Sequence, residues 1–113
     1  MQYLLLIYAD EGLTDPAALQ EITAGHMRLG AELQEAGAMV GGNRLKPSDT
    51  ATTVKTVAGS QGLHDGPYAE TREQLGGYYL VEAADLDAAI GWAKKIPGGS
   101  NYAIEVRPIW PLG

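Results

Sequence analysis

The 113-residue sequence contains no cysteine, which excludes disulfide bonds and thiolate chemistry and fits a reducing compartment. It is also short of basic side chains, since 8 Lys and Arg stand against 14 Asp and Glu, for a formal net charge of −6. These basic residues are scattered along the chain, whereas neutralising phosphates requires them in clusters. The sequence therefore predicts no nucleic-acid partner.

Long hydrophobic segments are absent as well. The apolar stretch Tyr3–Tyr8 is too short to cross a bilayer, and it lacks the basic lead and the small-residue cleavage site of a signal peptide. No internal repeat or low-complexity linker divides the chain. We therefore expect a single domain over residues 1–113, located in the cytoplasm and without a membrane partner.

The sequence does contain two strand-like segments that are apolar on both faces. In an extended Tyr3–Tyr8 segment, apolar side chains point to either side, and residues 76–83 show the same character. A strand that is apolar on both faces must be covered on both. Further strands are predicted at residues 38–45, 51–58 and 102–109. Because residues 51–58 contain Lys55 and alternate poorly, we expect this strand to lie towards a sheet edge.

Two helices are predicted from their end signals. Asp15 is suited to the N-cap of the first helix and Pro16 to its first position, and Gly37 ends it in a left-handed conformation. Asp85 caps the second helix, which stops at Pro97. The core-facing stripe of the first helix follows steps of three and four residues: Leu19, Ile22, His26, Leu29 and Leu33.

The predicted order is β-α-β-β-β-α-β, a ferredoxin-like α+β fold with an antiparallel sheet and one additional hairpin strand. Two helices cover only one face of such a sheet. The opposite face would expose an apolar patch of roughly several hundred Å². We therefore predict a homodimer in which two sheets pack face to face as a dimeric α+β barrel.

Residues 65–78 carry a resemblance to a known family. They read Asp-Gly-Pro-Tyr-Ala-Glu-Thr-Arg-Glu-Gln-Leu-Gly-Gly-Tyr, and this segment resembles the signature of the DGPF-domain proteins, a branch of the YCII-like (YCII-related) superfamily. The similarity continues through Ala84–Ala89 to the ending Glu105–Pro108. The resemblance implies the same fold and a dimer, but no agreed reaction.

His26 is the first candidate for chemistry. A histidine on an apolar stripe is more often structural than catalytic, but beside a carboxylate it can transfer protons near neutral pH. The resemblance implies a histidine on the first helix that pairs with an aspartate, and His26 matches that histidine. Glu35 would lie about 13 Å away along the helix, too far to touch it. We therefore predict Asp65 as the partner of His26.

The charged residues after the Asp65 turn allow two interpretations. In a solvated loop, Glu70, Arg72 and Glu73 would form surface ion pairs that stabilise the fold little. Alternatively, Asp65 and Glu70 point into a pocket where Arg72 binds an anion. The second interpretation makes Glu70 and Arg72 candidate ligand-binding residues.

Further candidates lie on the last strand and among the tyrosines. Arg107 and Glu105 share one face of that strand and would form an edge-strand ion pair. If this face lines a cavity between subunits, Arg107 would instead bind a carboxylate or a phenolate. Tyr8 and Tyr68 are the aromatic residues that we predict to contact a ligand.

Motifs for metals and cofactors are missing. The acidic residues and the two histidines show no short helical spacing of the kind found in strong metal motifs. Glycine-rich phosphate loops, a Ser-His-Asp order and a dinucleotide fingerprint are also absent. We predict neither a metal nor a cofactor.

Two functions remain open at this point. The first is a ligand-binding or regulatory accessory protein with a pocket lined by His26 and Asp65. It would bind a small molecule, or a partner related to extracytoplasmic-function sigma factors as the resemblance implies. The second is a cofactor-independent lyase with His26 as general acid and base, of the dehydrochlorinase type that the resemblance implies.

Overall fold

A computed structural model describes residues 1–112 and contains six strands, two α-helices and one short 3₁₀ helix. In chain order these elements are β1 (Gln2–Asp10), α1 (Pro16–Glu35), β2 (Met39–Arg44), the 3₁₀ helix (Ser48–Thr50), β3 (Thr52–Val57), β4 (Ser60–Asp65), β5 (Glu73–Glu82), α2 (Leu86–Ala93) and β6 (Tyr102–Pro108). The predicted α+β class is confirmed, and the chain has one strand more than predicted. Neither α-helix in the described part of the chain is both long and apolar enough to span a membrane.

The two strands predicted to be apolar on both faces form the centre of the main sheet. Its order is β2-β5-β1-β6, and every neighbouring pair is antiparallel. Between β1 and β5, Leu5 lies opposite Tyr79 and Leu6 opposite Tyr78. The register shifts after Ile7, so the strands change alignment at one end. This end is nearest residues 66–72, the part of the signature segment between β4 and β5, which we call the signature loop.

Both helices begin at the predicted caps. Asp15 accepts a hydrogen bond from the Ala18 backbone N–H at 3.2 Å, and Asp85 accepts one from Ala88 at 2.9 Å. These carboxylates satisfy N–H groups that have no partner within the first turn. Gly37 has φ +68° and ends α1 as predicted, because this conformation is strained for residues with a side chain.

The hydrophobic core lies between the helices and one face of the sheet. Leu29 and Leu33 of α1 and Ala89 and Ala93 of α2 are buried there. The sheet contributes these buried side chains: Tyr3, Leu5 and Val81. Both helices therefore occupy the same face, as expected.

The opposite face of the sheet, which we call the open face, carries a second set of apolar side chains. Leu4 lies opposite Leu80, and Leu6 lies opposite Tyr78, so they share one side of the sheet. These residues and Tyr8 are only half-buried, since α1 and α2 both pack on the other side. The apolar patch predicted from the alternation of β1 and β5 is present.

The segment between β2 and β5 differs from the prediction. No strand was predicted between residues 58 and 76, but Ala58 and Gly59 make a tight turn with φ 50° and 80°, and β4 follows at once. This strand was missed because Ser60–Asp65 has neither β-branched residues nor apolar alternation. β3 is an edge strand as predicted, but it pairs only with β4 in a separate two-stranded sheet and does not join the main sheet.

Substitution of Leu33 tests the assignment of the core. Leu33 is fully buried, whereas Leu19 on the same helix is 36% exposed. We expect Leu33→Ala to lower the free energy of unfolding by about 2–5 kcal/mol because it leaves a cavity. Leu19→Ala, the matched control, should lower it by less than about 1 kcal/mol. Urea unfolding followed by circular dichroism measures both values, and equal losses would contradict the assigned core.

Candidate functional site

A histidine and a tyrosine meet at the seam between α1 and the sheet. The Nδ1 atom of His26 lies 2.6 Å from the hydroxyl oxygen of Tyr79. Their rings are stacked, with centroids 5.8 Å apart and an angle of 24° between the planes. Both side chains are half-buried. They form a short hydrogen bond in a partly buried environment. Such a hydrogen bond is electrostatically stronger than the same bond in water.

The local sequence explains why these two side chains meet. His26 is on the stripe of α1 that also carries the buried Leu29, so it faces the sheet. Tyr79 is two residues from the buried Val81 on β5 and therefore points to the same side of the strand. Across from it, Gly42 leaves space for the ring, because a Cβ atom there would lie 3.2 Å from Tyr79 Cδ1.

The surroundings favour the neutral form of both groups. Burial lowers the pKa of His26, and the positive charge of Arg44 lowers it further. Burial raises the pKa of Tyr79, because a buried phenolate would lose its hydration. Near neutral pH the pair is therefore an uncharged imidazole beside an uncharged phenol.

Such a pair has two hydrogen-bonding arrangements. If the Tyr79 hydroxyl donates to Nδ1, the proton of the neutral His26 ring is on Nε2, which then donates to a ligand. If Nδ1–H donates to the Tyr79 oxygen instead, Nε2 accepts a hydrogen bond or a proton. The pair can therefore bind a ligand hydroxyl in either sense, and it can transfer a proton.

Asp65, the predicted partner of His26, lies at the end of β4. Its backbone is aligned with Thr52 in the β3–β4 hairpin, and its side chain is exposed. The hydrogen bond and the charge that act on His26 come from Tyr79 and Arg44. The pairing of His26 with Asp65 stays a prediction.

Arg72 and Glu70, the ligand-binding candidates of the signature loop, are both exposed. Arg72 Nε lies 3.1 Å from Asp10 Oδ2. The Gly12 N–H and then Arg72 lower the pKa of Asp10. This contact matches the surface ion pair of the first interpretation, and a role of these residues in ligand binding stays a prediction.

Arg107 and Tyr8 both lie on the open face. Arg107 is aligned with Leu4 and Tyr8 with Ala103 in the β1–β6 pairing. Arg107 Nη2 is 2.6 Å from Glu105 Oε2, so the predicted edge-strand ion pair is formed. Arg107 and Tyr8 face the space that a second sheet would cover. Their predicted role in ligand binding therefore stays a prediction.

Tyr68 is the last of the predicted ligand residues. It follows the Gly66–Pro67 turn and is 76% exposed. The ammonium group of Lys55 lies 5.9 Å from the centre of its ring. Tyr68 therefore belongs to the surface of the β3–β4 hairpin and not to the seam that contains His26.

Tyr79 and Arg44 are the site residues that sequence reasoning missed. Neither residue was among the site residues predicted from the sequence. A signal for Tyr79 was available, because its alternation with Val81 places it on the helix-facing side where the stripe of His26 must pack. Arg44 had no such signal, since the pairing of β2 with β5 was needed to locate it.

Acidic and histidine side chains do not converge elsewhere in the described part of the chain. Among residues 1–112, no group of three or more His, Asp or Glu side chains has an arrangement that could hold a metal ion. The seam around His26 instead offers an imidazole and a phenol in contact, and the positive charge of Arg44 acts on the imidazole. This donor set is suited to hydrogen-bonding organic molecules.

Two comparisons with known proteins cover nearly the whole chain. A family model described as the YCII-related domain matches residues 1–113. An uncharacterized protein of Rhizobium meliloti (strain 1021) is 37% identical over 114 residues, an alignment that covers 96% of this chain and 92% of that protein. The similarity therefore includes β1, α1 and the signature loop alike.

A titration of His26 tests the electrostatics of the site. Arg44→Gln removes the positive charge that lowers the pKa of His26, so this pKa should rise while staying below about 6.5, since burial is unchanged. NMR of the imidazole ring protons as a function of pH measures it. Arg28→Gln, on the same helix as His26, is the control and should leave the curve unchanged.

A third variant examines the predicted carboxylate partner. A carboxylate close to an imidazole raises its pKa, so Asp65→Asn would lower the pKa of His26 if the two residues pair. We expect no shift, because Tyr79 provides the hydrogen bond to the ring and Arg44 the charge that acts on it. A His26 curve that does not respond to Arg44→Gln would contradict the described electrostatics.

Proposed function

We propose that this chain, which belongs to the YCII-related domain family as the residues of its signature predicted, is a homodimeric protein that binds small hydroxycarboxylic acids. The short hydrogen bond between His26 and Tyr79 at the helix–sheet seam is the observation that carries this proposal. The dimer and the ligand site rest on different features and are argued separately.

The homodimer is supported by the open face. Half-buried apolar side chains from both central strands stand there in neighbouring rows: Leu4, Leu6, Tyr8, Tyr78 and Leu80. Apolar patches of this kind mark interaction surfaces, and a stable protein interface buries about 800 Å² on each partner. A second copy presents the same flat apolar surface, so face-to-face packing covers both patches at once.

Polar groups at the margin of the open face suit this arrangement. The Asn43 amide donates to the Tyr78 hydroxyl at 3.0 Å, and the Glu105–Arg107 ion pair lies on the outer strand β6. An apolar centre with a polar rim is the usual composition of a protein interface.

The ligand class follows from the three groups at the seam. A neutral imidazole and a neutral phenol bind a hydroxyl group, because each can donate or accept. The guanidinium group of Arg44 binds a carboxylate. A small molecule that carries a hydroxyl next to a carboxylate matches both halves of the site.

A lyase is the second candidate function, and the lowered pKa of His26 favours it. A neutral imidazole can accept a proton at Nε2 from the carbon next to a carboxylate. The electron pair of that C–H bond then forms a C=C bond as the leaving group departs from the neighbouring carbon. Tyr79 would hold the ring in position through Nδ1.

An accessory role beside an extracytoplasmic-function sigma factor rests on the sequence resemblance.

Leu6→Arg tests the dimer. Leu6 lies in the middle of the open face, and Glu105 on the adjacent strand gives an introduced arginine a charge partner within its own chain. We expect the unmodified chain to sediment at twice the mass of one chain. Leu6→Arg should sediment as a folded monomer, because a charge in the centre of an apolar interface is costly to desolvate.

Analytical ultracentrifugation and circular dichroism give the mass and the folded state in this test. Leu86→Arg, on the outer side of α2 where the leucine is 49% exposed, should remain dimeric. A monomeric unmodified chain would refute the dimer.

Calorimetric titration with lactate, malate and lactamide tests the ligand site. Malate and lactate should bind, and lactamide should bind much more weakly because it lacks the carboxylate. Arg44→Gln and Tyr79→Phe should each weaken binding about fivefold or more, the loss expected for one hydrogen bond to a charged or buried group. Arg28→Gln should have no effect.

The same mixtures separate binding from catalysis. NMR spectra taken over hours would reveal an unsaturated product if the protein is a lyase, and His26→Gln should abolish its formation. Binding without any product supports the first function. Affinities that are equal in Arg44→Gln, Tyr79→Phe and the unmodified chain would place the ligand elsewhere and refute the proposed site.

A further inference from the structure

The β3–β4 hairpin and the loop after it form an open surface hollow of about 290 Å³, lined by Thr53, Lys55, His64 and Tyr68. None of these residues takes part in the seam around His26. We propose that this hollow is a second binding site, which takes a small aromatic carboxylate. In it, Lys55 and His64 bind the carboxylate, and Tyr68 stacks on the aromatic ring.

The pairing of the two strands brings the polar residues to one face. Thr53 is aligned with His64, and Lys55 with Gly62. Residues two positions apart point to the same side of a strand, so Lys55 and His64 share a face. Gly62 has no side chain opposite Lys55, and a Cβ atom there would meet no atom within 4 Å, so this side of the hairpin is open.

The turn after β4 supplies the wall of the hollow. Gly66 has φ +116°, a conformation that favours glycine because it lacks a Cβ atom. Its N–H donates to the Ala51 carbonyl at 2.7 Å, and its own carbonyl accepts a hydrogen bond from the Thr53 hydroxyl at 2.8 Å. These contacts hold the chain against β3, so that Tyr68 lies beside Lys55.

The charges of the lining favour an anion. The lining contains the Lys55 ammonium and the His64 imidazole but no carboxylate, although the whole chain has a formal net charge of −6. Asp65, the nearest acid in sequence to His64, is aligned with Thr52 and points to the other face of the hairpin. The Thr53 hydroxyl is committed to Gly66, which leaves Lys55 and His64 as the donors.

The exposed ring of Tyr68 favours an aromatic ligand. Tyr68 is 76% exposed, and its ring attracts the Lys55 ammonium at 5.9 Å from the centroid. A planar ligand on the same surface buries apolar area and gains the energy of ring stacking. The volume of about 290 Å³ is near the lower end for small-molecule sites. A free phosphate would use Lys55 but leave Tyr68 exposed.

The experiment is an NMR titration of the ¹⁵N-labelled full chain with benzoate, inorganic phosphate and benzamide at constant ionic strength. Benzoate should shift the backbone amides of Thr53, Lys55, His64 and Tyr68 in a saturable way. Lys55→Gln should weaken benzoate about fivefold, the upper effect of an exposed ion pair. Lys94→Gln, at the exposed lysine that directly follows α2, should leave the affinity unchanged.

Two further variants separate the ring from the charge. Tyr68→Phe should retain benzoate binding, whereas Tyr68→Ala should lose most of it. Phosphate or benzamide binding as tightly as benzoate would overturn the proposal, and so would an unchanged affinity in Lys55→Gln. Shifts at the hairpin that persist in Arg44→Gln keep this site distinct from the seam, so each site can fail on its own.

Discussion

The structure depends on one imbalance: its main sheet has two apolar faces, but the chain provides helices for only one. Leu29 and Leu33 of α1 and Ala89 and Ala93 of α2 fill the space against Tyr3, Leu5 and Val81, and this burial supplies the main driving force for folding. Leu4, Leu6 and Tyr78 on the reverse side are left half-exposed. The covered face makes the monomer fold, and the open face is the surface on which the proposed dimer would form. Because each strand alternates, one sequence pattern serves both purposes.

The candidate site is formed where the covered face becomes polar. Among residues 1–112, no polar or charged side chain is fully buried, and His26 and Tyr79 come close to the core only because each satisfies the other. A partly buried imidazole without such a partner would lose hydrogen bonds that water otherwise provides. Half-burial and the charge of Arg44 keep the imidazole neutral, and a neutral imidazole is able to accept a proton. The partial burial that makes the hydrogen bond to Tyr79 necessary also lowers the pKa of His26.

The β3–β4 hairpin stands apart from this arrangement. Two strands alone are marginally stable in water, and this hairpin is held by contacts at its base. Gly66 bonds to Ala51, and the Ser48 backbone N–H donates to Glu11 at 2.7 Å, which ties the preceding segment to the loop after β1. The signature residues between β4 and β5 are mostly exposed, whereas His26 is half-buried between α1 and the main sheet. The two proposed binding sites therefore share no residue.

The sequence by itself determined the α+β class, the caps at Asp15 and Asp85, the helix end at Gly37 and the presence of an uncovered apolar face, since these depend on local backbone preferences and on residue periodicity. It also identified His26 by its place on an apolar stripe. The strand β4, the contact of Tyr79 with His26 and the influence of Arg44 were decided only by tertiary structure. The reason is that pairing across the chain sets which side chains meet: the residues at 26, 44 and 79 are joined by the register of β2 with β5 and by the docking of α1, and neither is encoded in the spacing of neighbouring residues.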